Sequence, residues 1–210
     1  MLLENVPFLT ARGVTLTRED SGENMLWTTL FLENIGITNL ASKNFMGDSE
    51  PLVWGYFHLR KKSRSRYYFV DDIDAKDVMF HLRKSRDTLF TAVSWIKLLL
   101  KYVPREEPDD ELLNTLYTNM KLLDLRSVPA DAVHWRFLQM WLEEWGLAPD
   151  IEGFYSAKGF NAEEIKLLYQ LRTLPPKEVV ELFAGRINSD VRENVFKIAS
   201  DLAVKFLDEK

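Results

Sequence analysis

The sequence contains no cysteine, which excludes disulfides and thiolate zinc sites. It has only nine glycines and no G-x-x-x-x-G-K-[S/T] or G-x-G-x-x-G run, so the usual nucleotide-binding loops are absent. Of its three histidines, His58, His81 and His134, none has a partner at HExxH spacing and none accompanies a G-x-S-x-G elbow. No apolar run approaches the roughly 18 residues needed to span a bilayer. The opening Met-Leu-Leu-Glu-Asn lacks the basic and apolar regions of a secretory signal, so a cytoplasmic protein without membrane contact is expected. An excess of positive charge is missing too. The net charge is −5, so any nucleic-acid contact must use a local patch.

What is present is ordinary globular composition: 210 residues, 46% hydrophobic and 28% charged. The first third reads as strands. Runs at 14–17, 25–32, 37–41, 52–59 and 67–70 are rich in β-branched, aromatic and long apolar residues. Asn34 and Gly36 make the turn between the second and third. Five short strands predict a small barrel of the OB type, although an SH3-like barrel fits as well.

From about Asp74 the period becomes helical. Leu89, Val93, Ile96 and Leu100 share one helix face. Pro104 to Pro108 makes a charged turn, and Asp109 and Asp110 open a helix carrying Leu112, Leu113, Leu116, Met120 and Leu123. Pro129 starts the next, with Val133, Phe137, Met140 and Trp141 on one face and Gly146 as its stop. Asn161 and Glu164 have capping-box spacing. Pro175-Pro176 opens a short helix ending near Gly185. A last helix from about Ser189 carries Val191, Val195, Ile198, Leu202 and Phe206. The expected fold is therefore α+β: a five-stranded OB-like β-barrel over 1–75, then an all-helical domain over 76–210.

Gly13 to Asn24, residues 27–36, Lys43 and Trp135 to Asp150 together resemble stretches of the RecO family of recombination mediators. Gly13 to Asn24 looks like that family's opening strand and its GEND-like turn. Residues 27–36 are similar to its following strand, and Lys43 falls at its lysine after the third strand. Trp135 to Asp150 resembles its core helix with the GxxPD ending. The resemblance covers residues 12 to about 155. It implies a non-catalytic protein that binds single- and double-stranded DNA through the barrel. Its partners would be a RecR-type protein and the C-terminal tail of single-stranded-DNA-binding protein. Two departures stand out. Phe154 and Ala157 occupy positions where many members carry a zinc-binding CxxC, so no zinc or other cofactor is expected. Residues 44–50 are neutral to acidic where the family has a basic run.

The candidate DNA-binding residues are Lys43, Arg60, Lys61, Lys62, Arg64 and Arg66, supported by Arg12 and Arg18. The stretch 60–66 places five cations within seven residues, followed by Tyr67 and Tyr68. A basic hairpin tip can grip phosphates, and adjacent aromatics can stack unpaired bases. The same tip also reads as a solvated turn that blocks edge-to-edge pairing. Arg83, Lys84 and Arg86 form a second basic group, with Asp77 and Asp87 near enough for local ion pairs.

Asp71, Asp72 and Asp74 could suggest a divalent cation, but turn and helix-capping roles fit their spacing better. Trp135, Arg136 and Trp145 are candidates for a groove that takes a partner's tail, against simple interhelical packing. No set of residues suggests catalysis. A second functional reading is a protein-interaction scaffold with little DNA affinity, which the pI of about 5.4 favours.

Overall fold

The computed structural model describes residues 8–20, 25–43, 50–61, 68–184 and 194–208. Among these are five strands followed by seven α-helices, an α+β arrangement. The strands are β1 (Phe8–Asp20), β2 (Met25–Leu32), β3 (Gly36–Lys43), β4 (Trp54–Lys61) and β5 (Tyr68–Asp77). The helices are α1 (Arg86–Tyr102), α2 (Asp110–Leu125), α3 (Ala130–Glu144), α4 (Ile151–Ala157), α5 (Ala162–Thr173), α6 (Pro176–Ala184) and α7 (Val195–Asp208). A 3-10 turn over Leu82–Lys84 precedes α1.

The strands close on themselves in the order β1-β2-β3-β5-β4. Every neighbour is antiparallel except β3 and β5, which run parallel through Ala41–Phe69 and Ser42–Val70. Alternation along the strands turns Ala11, Leu30, Leu32, Leu40, Phe57, Leu59, Val70 and Ile73 into one buried interior cluster.

The outer face differs along its length. One row, Trp54–Val14–Phe31–Ile37, runs across β4, β1, β2 and β3 by direct pairing, and each residue is at most 3% exposed. The barrel belongs to a compact unit that also holds Ser94–Leu113, whose buried Trp95, Leu99, Val103 and Leu112 supply apolar surface. This segment is tied to the β2–β3 turn. Glu106 N donates to Ile37 O at 3.0 Å, and Asn34 N donates to Asp110 Oδ1 at 2.8 Å. Gly36, at φ 89°, abuts the Glu107 backbone so closely that a Cβ would collide with it.

The second compact unit comprises His81–Val93 and Asn114–Lys210. Here α3 packs on α7 and α5, and α4 packs on α5. Phe137, Leu138, Trp141 and Leu142 of α3 are fully buried. Gly146, at φ 68°, ends α3 as expected: its N–H returns to Glu143 O at 2.9 Å. The Asn161–Glu164 capping box at the start of α5 forms in both directions, each bond 2.9 Å.

Several sequence expectations move. The strand expected over 67–70 continues to Asp77, so Asp71, Asp72 and Asp74 lie within β5 and not in a turn or helix cap. The reason is pairing: Ile73 fills the barrel opposite Phe57, while Asp72 and Asp74 face out opposite His58 and Tyr56. Helix therefore begins near residue 82, later than 74. β1 is 13 residues long, because it spans both β2 and β4. Helix α4 has no counterpart in the periodicity reading. Its signal is Asp150, whose carboxylate accepts from Gly153 N at 2.7 Å as an N-cap. Leu89 and Ile198, expected on the apolar faces of their helices, are 36% and 40% exposed.

Candidate nucleic-acid interface

Register fixes which side chains share one row on the outer face of the barrel. Direct pairing links Glu19 to Trp27, Trp27 to Ala41, Ala41 to Phe69, Phe69 to Arg60, and Arg60 to Phe8. Paired residues share a face, so these six form one outer belt around all five strands. Phe8 is 65% and Trp27 42% exposed. Phe8 and Trp27 thus open parts of this row to solvent, although Ala41 within it is buried, whereas the row Trp54–Val14–Phe31–Ile37 is closed throughout.

The row meets β1 twice, at Phe8 where the strand begins and at Glu19 near its end, and it crosses β3 and β4 near their ends and β2 and β5 near their starts. Arg60 and Lys61, the described part of the cation-rich stretch 60–66, end β4 in or beside this row. Arg60 is directed at Asp71, with Nη2 2.6 Å from Oδ1, and both side chains are over 40% exposed. An exposed pair of this kind contributes only about 0–1 kcal/mol, so the guanidinium can exchange its partner for a phosphate. Lys61 stands opposite Tyr68, its Nζ 5.8 Å from the ring centroid.

The remaining cations divide. Arg12 lies on the outer face, pairs with Glu33 at 3.2 Å and sits 5.9 Å over the Trp54 ring, so it serves the covered end. Arg18 occupies the register of buried Thr28, an interior position near the barrel mouth, and is half-buried. Lys43 closes β3 opposite Met25. Lys62, Arg64 and Arg66 lie outside the described residues, as does Tyr67. Further along the outer face, Asp72 and Asp74 repeat the negative charge of β5, so phosphate is disfavoured away from the belt.

The belt was not foreseen from the sequence, where Trp27 reads simply as an apolar strand residue. The available signal is alternation: Leu26 and Thr28 share one face, which sets Trp27 on the other.

The proposed tail groove does not survive in its expected form. Trp135 is 0% exposed, and its Nε1 donates to Tyr155 Oη at 2.8 Å with the rings edge-on at 68°. Burial in turn pushes the Tyr155 phenol up to about 12. Arg136 is 3% exposed. Its Nη1 donates to Leu171 O and, at 3.2 Å, to Arg172 O, the last carbonyls of α5. These groups lack intrahelical donors, so Arg136 caps a helix and complements its dipole. Burial lowers the Arg136 pKa from its ordinary value. Neither side chain can reach a partner's tail. Trp145 is half-buried, edge-on to Trp141 at 5.2 Å. An open groove in this unit is lined by Ile151, Glu152, Phe160, Lys166 and Tyr169 of α4, α5 and the turn between them.

Of the second basic group, Arg86 lies 5.3 Å over the Phe90 ring, an unexpected cation–π contact. His58 shares a 2.9 Å hydrogen bond with Thr10 Oγ1. His134 is pushed down to about 4 by burial, partly offset by Asp201. Among the described residues no three His, Asp or Glu side chains gather as metal ligands, and no helix is long and apolar enough to cross a membrane.

No family model matches the chain, and comparison with curated proteins gives no match.

Proposed function

We propose that the chain is a RecO-like DNA-binding mediator, acting by binding and positioning without making or breaking bonds. The carrying observation is the occurrence of cations and exposed aromatics along one outer row of the barrel and beside it, with Arg60, Lys61, Phe8 and Trp27. The strand order β1-β2-β3-β5-β4, with one parallel pair, supports an OB-type barrel, a fold whose outer strands and loops take oligonucleotides. A helical region follows, as the resemblance to the RecO family implies. On this reading the partners are single- and double-stranded DNA, a RecR-type protein and the tail of single-stranded-DNA-binding protein.

The test is fluorescence anisotropy with labelled DNA at low and physiological salt. The native protein is compared with a variant carrying Lys61→Ala, Lys62→Ala, Arg64→Ala and Arg66→Ala. Salt-sensitive binding that the variant loses supports the reading. No binding by the native chain at low salt removes it. A protein-interaction scaffold with little DNA affinity is the second reading. It is favoured by the engagement of Arg12 with Glu33 and of Arg60 with Asp71, and by the acidic pI of about 5.4. Binding to partner proteins with no DNA binding would support it.

A further inference from the structure

We infer that the barrel opens at its β3–β5 seam, so that the hairpin of β4 and β5 parts from β3 while every other strand pair holds. The inference stands apart from the DNA-binding reading, because it follows from how the barrel is closed and not from what it binds.

Closure is uneven around the barrel. β1 pairs with β2 from Gly13–Leu32 to Asp20–Leu26, and with β4 from Phe8–Arg60 to Val14–Trp54. β2 and β3 pair along their whole length, from Met25–Lys43 to Leu32–Gly36. β4 and β5 pair from Trp54–Asp77 to Lys61–Tyr68. Among the described residues β3 and β5 share only Ala41–Phe69 and Ser42–Val70. These run parallel, the slightly weaker arrangement per residue.

Two features keep this seam short. The register of β4 steps from His58–Asp72 to Leu59–Val70, so Asp71 is an extra, bulged residue of β5. A bulge bends its strand and increases its twist, and this one falls where the pairing with β3 ends. Beyond it, Ile73 N donates to Asp72 Oδ1 at 2.9 Å, so that amide is met locally. The connector between α1 and α2 takes up the edge of β3 that β5 leaves. Ile37 bridges Arg105 in parallel, and Glu106 N donates to Ile37 O at 3.0 Å. The Gly36 end of β3 is thereby fastened, whereas its Ala41–Ser42 end is joined to β5 at two positions.

Side chains complete the closure. Leu40 and Val70, one from each side of the seam, are buried in the interior cluster. Apolar contact thus holds the seam with little help from the backbone. Separating any other two neighbours breaks a ladder of seven or eight pairs in addition to such contacts. Local opening follows the route that breaks least, which here parts β3 from β5. The open form is a five-stranded sheet with two free edges, β3 and β5, which the closed barrel lacks.

The experiment measures how fast buried thiols are labelled in the folded protein. The chain has no cysteine, so a single engineered thiol reports alone. Leu40→Cys and Val70→Cys place it at the seam. Leu30→Cys places it on β2, whose two neighbours are both fully paired with it. Each variant is labelled with an aromatic disulfide reagent in urea concentrations below its unfolding transition. Its rate is set against the rate that its own global unfolding equilibrium allows. The two seam thiols should react at least about tenfold faster than global unfolding allows, with little urea dependence, because local opening exposes little surface. Leu30→Cys should react only as fast as global unfolding allows and accelerate with urea. In the native chain, the amides joining β3 to β5 should exchange with deuterated solvent faster than those joining β1 to β2. The inference is overturned if the seam thiols react no faster than global unfolding allows, or if Leu30→Cys exceeds its own limit by the same factor. Equal exchange of the two sets of amides in the native chain also overturns it, even where a variant fails to fold.

Discussion

Two regions of this chain carry similar chemistry and treat it in opposite ways. The outer belt of the barrel and helix α3 each combine tryptophan, a further aromatic ring and arginine. On the barrel, Trp27 is 42% exposed and Arg60 holds a solvent-facing carboxylate. On α3, Trp135 and Trp141 are 0% exposed and Arg136 is 3% exposed, donating to backbone carbonyls. The lesson is that residue type does not distinguish a binding surface from a core. What distinguishes them is whether another element of the same unit covers the face. Helix α3 meets α5 and α7, whereas Trp27 and Phe8 on the barrel's belt remain open.

The largest expected effect tests the buried side of the comparison. Trp135→Ala should cost about 3–5 kcal/mol in chemical denaturation, because it opens a cavity and strips Tyr155 of its donor. Trp27→Ala, the same change on the exposed belt, should stay within about 0.5 kcal/mol. Equal costs at the two sites would break the comparison. Arg136→Met should follow at about 1–3 kcal/mol, since two carbonyls ending α5 lose their donor. Arg60→Ala should cost under about 1 kcal/mol, the range of an exposed ion pair, while weakening DNA binding.

A pH series sharpens the same contrast. His134 is pushed down from 6.5 to about 4, chiefly by burial. Its depressed value means that the unfolded chain takes up a proton below 6.5 which the folded chain refuses until about 4. Stability should therefore fall with acid through that window, by at most about 1.4 kcal/mol per pH unit, and His134→Gln should flatten this component. The check is the unfolding midpoint in urea between pH 7 and 4.

Much of the fold is legible in the residues because local rules write it directly. The β2 strand, the turn at Asn34 and Gly36, the Gly146 stop and the Asn161–Glu164 box depend on neighbours a few positions apart. The acidic run at 71–74 shows where such rules fail. Three aspartates read as a turn or cap, yet Ile73 opposite Phe57 holds them in a strand. Pairing with β4 overrides the local preference of aspartate against strands. The short α4 is not legible from periodicity because seven residues span only about two turns, and its local signal is the Asp150 cap.

The candidate site divides along the same line. The cationic stretch from Arg60 onward, the lack of cysteine ligands and the absence of a nucleotide loop belong to the sequence itself. Composition and order along the chain are enough to establish them. Only the tertiary structure decided that Arg136 caps α5, that Trp135 is core, and that Phe8, Trp27, Phe69 and Arg60 share one belt. Those residues lie up to 61 positions apart in sequence and meet through strand register. Register and packing partners arise from long-range pairing, and no local spacing encodes them.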